Sequence, residues 1–130
     1  MVDKVINILN KKIEGIICIY IFGSYLKSTY KKDSDIDIAF LSEEKINNIK
    51  RWEISSILAD ELKRDIDLID LRSASTVMKA QIVFKGSSIY ESDKNKREMF
   101  EMLALSDYAR LNEERKEIIE RIKREGIVYA

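Results

Sequence analysis

The sequence of 130 residues contains no histidine. This absence excludes a Ser-His-Asp triad, a Cys-His pair and the usual catalytic zinc sites, all of which need an imidazole. Any catalysis by this chain therefore has to use other groups. Acidic side chains acting with hard metal ions are what remain.

Cysteine is nearly absent as well, and Cys18 is the single example. It lies inside an apolar run, so we expect a buried thiol, and no disulfide can form within one chain. The longest uncharged apolar stretch, Gly15 to Ser24, is too short to cross a bilayer. The first residues form a charged, helix-like segment rather than a signal peptide. These features predict a cytoplasmic protein without a membrane partner.

An excess of positive charge is also lacking, because 23 Lys and Arg residues balance 23 Asp and Glu residues. A protein that binds nucleic acids in a generic way relies on net positive charge, so no direct nucleic-acid binding is expected. Apolar residues make up 45% of the chain, which is enough for a packed core and argues against disorder.

The hydrophobic pattern predicts helices and strands in alternation. The run Ile16–Phe22 is apolar throughout, as expected of a central strand covered by helices. The predicted elements are, in order, a helix at Asp3–Glu14, strands at Ile16–Phe22 and Asp35–Leu41, a helix from Ser42 to about Lys63, a strand at Asp65–Leu71, a loop and helix at Arg72–Lys85, a short edge strand at Ser87–Tyr90 and a long helix at Lys94–Glu125.

A glycine and a serine follow the first predicted strand. Gly23 allows a sharp turn and a close approach of a ligand, and Ser24 is a good N-cap for a short helix at Ser24–Lys31. A helix N-terminus offers free N–H groups to a phosphate. Taken alone, however, such a pair is more often a simple turn.

Two aspartates begin the second predicted strand. Residues i and i+2 of a strand point to the same face, so Asp35 and Asp37 project side by side. Neighbouring carboxylates repel each other unless a cation lies between them, and oxygen ligands of this kind suit Mg²⁺. Taken alone, Asp-x-Asp is more often a strand end with two solvated acids.

The two halves together form one pattern: a strand, Gly23-Ser24, ten intervening residues and Asp35-Ile36-Asp37 on the next strand. In this pattern the sequence resembles the minimal nucleotidyltransferases of the DNA polymerase beta superfamily, whose signature is Gly-Ser, ten residues and Asp-x-Asp. The resemblance implies an α/β (α+β) fold, in which helices pack on a small mixed β-sheet like the palm of polymerase beta. It also implies transfer of a nucleoside monophosphate.

The resemblance assigns roles to individual residues. The family carries a third carboxylate in a strand with the pattern apolar-Asp-apolar-apolar-Asp, and Asp67 matches it, while Asp65 is expected to be solvated and Asp70 to cap a loop. Two Mg²⁺ ions would then be held by Asp35, Asp37 and Asp67. The triphosphate of the nucleotide would contact Gly23 and Ser24, with Ser34 orienting the start of the second strand.

The C-terminal part of the chain reads as a helical tail. We expect a nucleotidyltransferase domain at residues 1–92 and a tail at residues 93–130, with the long helix broken near Asn112. An apolar stripe runs along this helix, formed by Phe100, Ala104, Tyr108, Leu111, Ile118 and Ile122. Part of the stripe would pack on the sheet, and the rest is either self-packed or a surface for a partner.

The acceptor of the nucleotide is implied only by the resemblance. Small members of the family often act as antitoxins that transfer AMP from ATP to a tyrosine of an all-helical HEPN ribonuclease toxin. We therefore predict an antitoxin with ATP as substrate, which forms an oligomer with the toxin or with copies of itself. The alternatives are an antitoxin that works by occlusion without catalysis and an enzyme that modifies a small molecule.

Overall fold

The computed structural model describes residues 1–23 and 35–126. In these residues the chain forms helices and strands in the predicted alternation. The elements are α1 (Val2–Lys12), β1 (Ile16–Phe22), β2 (Ile36–Ser42), α2 (Asn48–Leu62), β3 (Ile66–Asp70), α3 (Thr76–Lys85), β4 (Ser87–Glu91) and α4 (Lys94–Glu125).

The strands form one mixed sheet in the order β3-β2-β1-β4. The central strand β1 is antiparallel to both neighbours, while β2 and β3 are parallel because α2 crosses back between them. At one end of the sheet Ile16 lies opposite Ser42, and at the other Phe22 lies opposite Asp37. The predicted mixed sheet, the central position of β1 and the edge position of β4 are confirmed.

Helices cover both faces of the sheet. The face under α1 and α2 holds one buried cluster, formed by Val5, Leu9, Ile13, Ile16, Ile19, Ile21, Ile36, Ile38, Phe40, Ile54, Leu58 and Leu68. The face under α3 and α4 holds a second, formed by Ile17, Cys18, Tyr20, Ala39, Leu41, Leu71 and Ile82. A strand covered on both faces has no solvent side, which explains why β1 is apolar at every position. The expected burial of Cys18 is confirmed, and burial raises the pKa of its thiol to about 11.

The second helix begins later than the sequence predicted. Ser42 does not start a helix: it is the last residue of β2, and its hydroxyl donates to the carbonyl of Glu44 at 2.6 Å. The helix begins instead after Asn47, whose side chain accepts from the Lys50 amide at 2.7 Å. The prediction failed because a serine followed by glutamates fits both a helix start and a strand end, and strand pairing with Ile16 decides the outcome.

Asp70 connects this late-starting segment to the end of β3. Its side chain is almost fully buried, with 3% exposed. It accepts hydrogen bonds from the backbone amides of Ile46 and Arg72, each at 3.0 Å. The sequence-based expectation that Asp70 caps a loop is confirmed, and the carboxylate holds two separate loops at once.

The long C-terminal helix is continuous, so the predicted break near Asn112 is wrong. It spans 32 residues, Lys94–Glu125, and its N-cap is Asp93, whose side chain accepts from the Lys96 amide at 3.1 Å. Asparagine is a weak helix former, but in a helix interior it costs only a few tenths of a kcal/mol relative to a good one. A single Asn112 is therefore too small a perturbation to break the helix.

Side chains on the first turns of α4 attach it to the sheet. Arg97 bridges the carboxylates of Glu91 and Glu101, and Lys96 pairs with Glu43 in the loop after β2. The hydrogen bond to Glu91 is the main cause that raises the pKa of Arg97. The start of α4 is thereby fixed at the end of the sheet where β4 and β2 finish.

None of the helices within residues 1–23 and 35–126 has the length and apolar character needed to cross a membrane.

We predict that Asp70→Ala lowers the free energy of unfolding by about 2–3 kcal/mol, because it leaves two partly buried amides without their charged acceptor. Urea denaturation monitored by circular dichroism measures this change. The control is Asp65→Ala, since the Asp65 side chain is exposed and the change should stay within about 0.5 kcal/mol. Equal losses in the two variants would contradict the role of Asp70.

Candidate active site

Asp37 and Asp67 lie side by side on neighbouring strands. They are register partners in the parallel pair β2–β3, and Phe22 is the register partner of Asp37 on β1. Strands in a sheet are about 4.8 Å apart, and side chains of register partners share a face. The row Phe22–Asp37–Asp67 therefore crosses three strands on the face that carries α3 and α4.

Asp35 lies one residue before β2, and its side chain is exposed. The segment is held in place by the next residue, because the Ile36 amide donates to the Asp65 carbonyl at 2.9 Å. This bond joins the start of β2 to the start of β3. The three aspartates of the sequence-based prediction thus gather at one end of the sheet, and Asp65, which is also exposed, lies next to them.

The electrostatics of the group centre on Asp37. Its pKa is raised, first by partial burial and then by the negative charges of Asp67 and Asp35. Both causes disfavour the ionised form of the carboxylate. A bound cation would reverse the effect of these neighbouring charges on the pKa, because its positive charge would attract all of the carboxylates and favour their ionised forms.

Gly23 lies directly against the Asp37 carboxylate. It has a φ of +77°, and a Cβ placed on it would lie 1.9 Å from the Asp37 Oδ2 and 3.0 Å from its Cγ. Glycine is thus required twice: for a left-handed backbone and for the space that the carboxylate occupies. The sequence suggested Gly23 for the approach of a phosphate; its contact with Asp37 could not be read from the spacing.

The donor set fits a hard divalent cation, since it consists of carboxylate oxygens. Within the described ranges, no group of three or more His, Cys, Asp or Glu side chains is already arranged to hold a metal ion. The backbone register brings Asp37 and Asp67 together on one face, and Asp35 lies one residue before the start of β2 at the same end of the sheet.

Two of the predicted nucleotide-binding residues, Ser24 and Ser34, lie outside the described residues. The same holds for the predicted short helix at Ser24–Lys31.

Comparison with known proteins identifies the family. A model of the family "Polymerase beta, Nucleotidyltransferase" matches residues 3–95. The chain belongs to this family. As a polymerase beta nucleotidyltransferase, it uses a nucleotide substrate, and the matched region contains the three aspartates and Gly23.

Several relatives of this nucleotidyltransferase are similar over most of their length. The chain is 42% identical over 118 residues to the protein adenylyltransferase MntA of Shewanella oneidensis, covering 91% of this chain and 84% of that protein. A solved toxin–antitoxin structure with AMP-PNP matches at a TM-score of 0.85 and 40% identity, covering 94% of this chain and 98% of that one. The structure of a tri-AMPylated Shewanella oneidensis HEPN toxin in complex with its MNT antitoxin matches at a TM-score of 0.80 and 39% identity, with coverages of 94% and 95%.

We predict that Gly23→Ala is far more damaging than the same change at Gly126. Gly126 also has a positive φ, of +64°, but a Cβ there would have nothing within 4 Å. Gly126→Ala should therefore lower the free energy of unfolding by only about 1 kcal/mol, which is the cost of placing alanine in a left-handed backbone conformation. Gly23→Ala adds a collision with Asp37, and we expect a loss of about 3 kcal/mol or more. Urea denaturation of both variants gives the comparison, and similar losses would refute the contact.

We also predict that Asp37→Asn stabilises the metal-free protein. Because the pKa of Asp37 is raised in the folded state, its ionisation lowers the free energy of unfolding as the pH rises through that pKa. At neutral pH the variant should gain a few tenths to about 1 kcal/mol, since the site is partly open to solvent.

Thermal unfolding at pH 7 with EDTA measures this gain, with Asp60→Asn on the exposed side of α2 as the control that should not change. Added Mg²⁺ should raise the melting temperature of the wild type and not that of Asp37→Asn. A variant less stable than the wild type in EDTA would contradict the repulsion.

Proposed function

We propose that this nucleotidyltransferase is a Mg²⁺-dependent protein adenylyltransferase, an antitoxin that transfers AMP from ATP to a tyrosine of a cognate HEPN toxin. The observation that carries the proposal is the gathering of Asp35, Asp37 and Asp67 at one end of the sheet, beside Gly23. In support, the chain is 42% identical over 118 residues to MntA, which is named a protein adenylyltransferase.

The residues of the site have separate tasks in this reaction. Asp35 and Asp37, with Asp67 on the adjacent strand, would hold Mg²⁺, which supplies charge neutralisation at the triphosphate and lowers the pKa of the attacking hydroxyl. Gly23, with no side chain, lets the backbone approach the phosphates, and Ser24 follows at the predicted N-terminus of a helix.

The acceptor hydroxyl attacks the α-phosphorus of ATP. A new P–O bond forms to the acceptor, the bond to the β-phosphate oxygen breaks, and pyrophosphate leaves with that electron pair. Asp67 is exposed and lies on the outer strand of the pair, so it is the carboxylate positioned to take the proton of an incoming hydroxyl. The protein contributes mainly positioning and charge.

Two further properties stay predictions. These are a location in the cytoplasm beside the toxin and the oligomeric state of the complex. The occlusion antitoxin is the second candidate, because the solved relatives include complexes of an antitoxin with its toxin.

The decisive experiment is intact-mass spectrometry of the HEPN toxin encoded beside this gene, after incubation with this protein, ATP and Mg²⁺. We expect the toxin to gain one or more AMP units. Each of three variants, Asp35→Asn, Asp37→Asn and Asp67→Asn, should slow transfer about 100-fold or more. Loss of a residue that only supports a metal ligand slows activity about 10–100-fold, and loss of the ligand itself should cost more. EDTA should abolish it.

The matched control is Asp65→Asn, which removes an exposed acid two residues from Asp67 and should leave transfer within about threefold of the wild type. A large loss in Asp65→Asn with little loss in Asp67→Asn would reassign the third acid. Neutralisation of the toxin by Asp35→Asn without any transfer would favour the occlusion antitoxin.

A further inference from the structure

The strand that carries Asp67 lies at an edge of the sheet, and helix α2 runs along that edge. β3 is the outer neighbour of β2 and has only five residues, Ile66–Asp70. The outer edge of such a strand presents backbone N–H and C=O groups that are not paired within the sheet. In this protein, side chains of α2 bind two of the carbonyl groups on the outer edge of β3.

Two hydrogen bonds make this connection. The Ser55 hydroxyl donates to the carbonyl of Ile66 at 3.1 Å, and Nη1 of Arg51 donates to the carbonyl of Leu68 at 2.9 Å. Ile66 and Leu68 are the residues on either side of Asp67 along the strand. The backbone is therefore held from the outer edge both before and after Asp67. We call Arg51 and Ser55 the edge pair.

The inner edge of β3 is held by β2. On that side Asp67 is the register partner of Asp37, and the Ile36 amide donates to the Asp65 carbonyl at 2.9 Å. The strand is thus held between β2 and α2 at the level of Asp67. Although the Asp67 side chain is exposed, the backbone that carries it is determined from both edges.

The helix that carries the edge pair is itself fixed to the core. Ile54 and Leu58 of α2 are buried and belong to the same cluster as Leu68. They follow Arg51 and Ser55, respectively, by three residues, so all four side chains lie on one side of the helix. The two hydrogen bonds therefore join β3 to a packed element of the fold and not to a loose surface side chain.

The acids of the site need such a support because they repel each other. The negative charge of Asp67 is one of the causes that raise the pKa of Asp37. The same repulsion favours a rotation of the edge strand that turns the Asp67 carboxylate away from Asp37. Carbonyl groups fixed before and after Asp67 oppose this rotation, because the orientation of the backbone sets the direction of the Asp67 side chain.

We propose that Arg51 and Ser55 are positioning residues for nucleotidyl transfer, which hold the Asp67 carboxylate beside Asp37 so that both can bind one cation. This inference rests on the proposed function, in which Asp67 is the third acid of the metal site. In this role the edge pair touches neither the cation nor the nucleotide and acts only through the backbone of β3. Residues that support a metal ligand in this indirect way contribute about 10–100-fold to metal affinity or activity.

The test removes the two donors and leaves the helix in place. Arg51→Met keeps a long side chain without its N–H groups, and Ser55→Ala removes only the hydroxyl. The matched controls are Lys50→Met and Ser56→Ala, which make the same kinds of change at the neighbouring positions of α2. Metal binding is measured by electron paramagnetic resonance of Mn²⁺, which prefers the same oxygen ligands as Mg²⁺. AMP transfer to the toxin is measured across concentrations of toxin.

We expect each variant of the edge pair to weaken Mn²⁺ binding and to lower kcat by about 3–10-fold, and the double variant to lose about 10–100-fold in both. The KM for toxin should stay within about twofold of the wild type, because the metal site acts mainly on the chemical step. Alanine and methionine are good helix formers, so these losses would not reflect a weaker α2. Both controls should match the wild type.

Conservative variants separate positioning from simple loss of stability. Ser55→Thr and Arg51→Lys each keep a donor, so they should restore most of the lost Mn²⁺ affinity and kcat. A purely structural role would lower the melting temperature and the folded fraction, while the Mn²⁺ affinity of the folded molecules stayed the same. If the double variant does not fold at the assay temperature, the single variants and their conservative counterparts decide the question.

Other results would overturn the proposal. Wild-type Mn²⁺ affinity and kcat in the variants of the edge pair would show that β2 alone holds Asp67 in place. Equal losses in the two controls would show a general effect of changes in α2, and a change confined to the KM for toxin would assign the edge pair to acceptor binding. If the wild-type protein transfers no AMP, the proposed function fails, while the Mn²⁺ titrations still decide whether the edge pair supports the metal site.

Discussion

The register between β2 and β3 is the constraint on which the site depends. It sets Asp37 beside Asp67, and the pairing of β1 with β2 places Gly23 against the Asp37 carboxylate. A slip of one residue would turn Asp37 toward α1 and α2 and would remove Ile38, which is fully buried, from the cluster on that face. Because both faces of β2 are packed, the hydrophobic core keeps the aspartates in place even though their charges repel each other.

The acidic residues on the two faces of β3 have different roles. Asp70 lies on the α2 side of β3, where it is buried and satisfied by two backbone amides. Asp67, three residues earlier, lies on the other face and is exposed. Strand alternation separates them, so one strand carries both a structural carboxylate and a chemical one. The structural one fixes the loop leading into α2, and the other is left open to a cation and a hydroxyl.

The sequence predicted much of this arrangement because period-two alternation determines which strand residues share a face. The continuous apolar run of β1, the place of Asp37 on the face opposite Ile36 and Ile38 and the loop-capping place of Asp70 all follow from local pattern. The start of α2 could not be predicted in this way, because it depends on the pairing of Ser42 with Ile16. The continuity of α4 at Asn112 could not either, because it depends on a small difference in helix propensity. The contact between Gly23 and Asp37 joins residues from two strands and has no signature in sequence. The roles of Ser24 and Ser34 stay predictions.

The second half of α4, residues 112–125, is exposed throughout, so its helical form has to be stabilised by its own side chains. Glu117 precedes Arg121 by four residues and Glu120 precedes Arg124 by four, the favourable order for such pairs on a helix. Lys123 and Arg124 lie in the last turn, where positive charge favours the helix dipole, and Gly126 ends the helix in a left-handed conformation. These charged side chains thus help to keep residues 112–125 helical although they are exposed. Local pairs and caps thus hold Ile118, Ile119 and Ile122 on a regular helix, although the burial of these side chains contributes little to its stability.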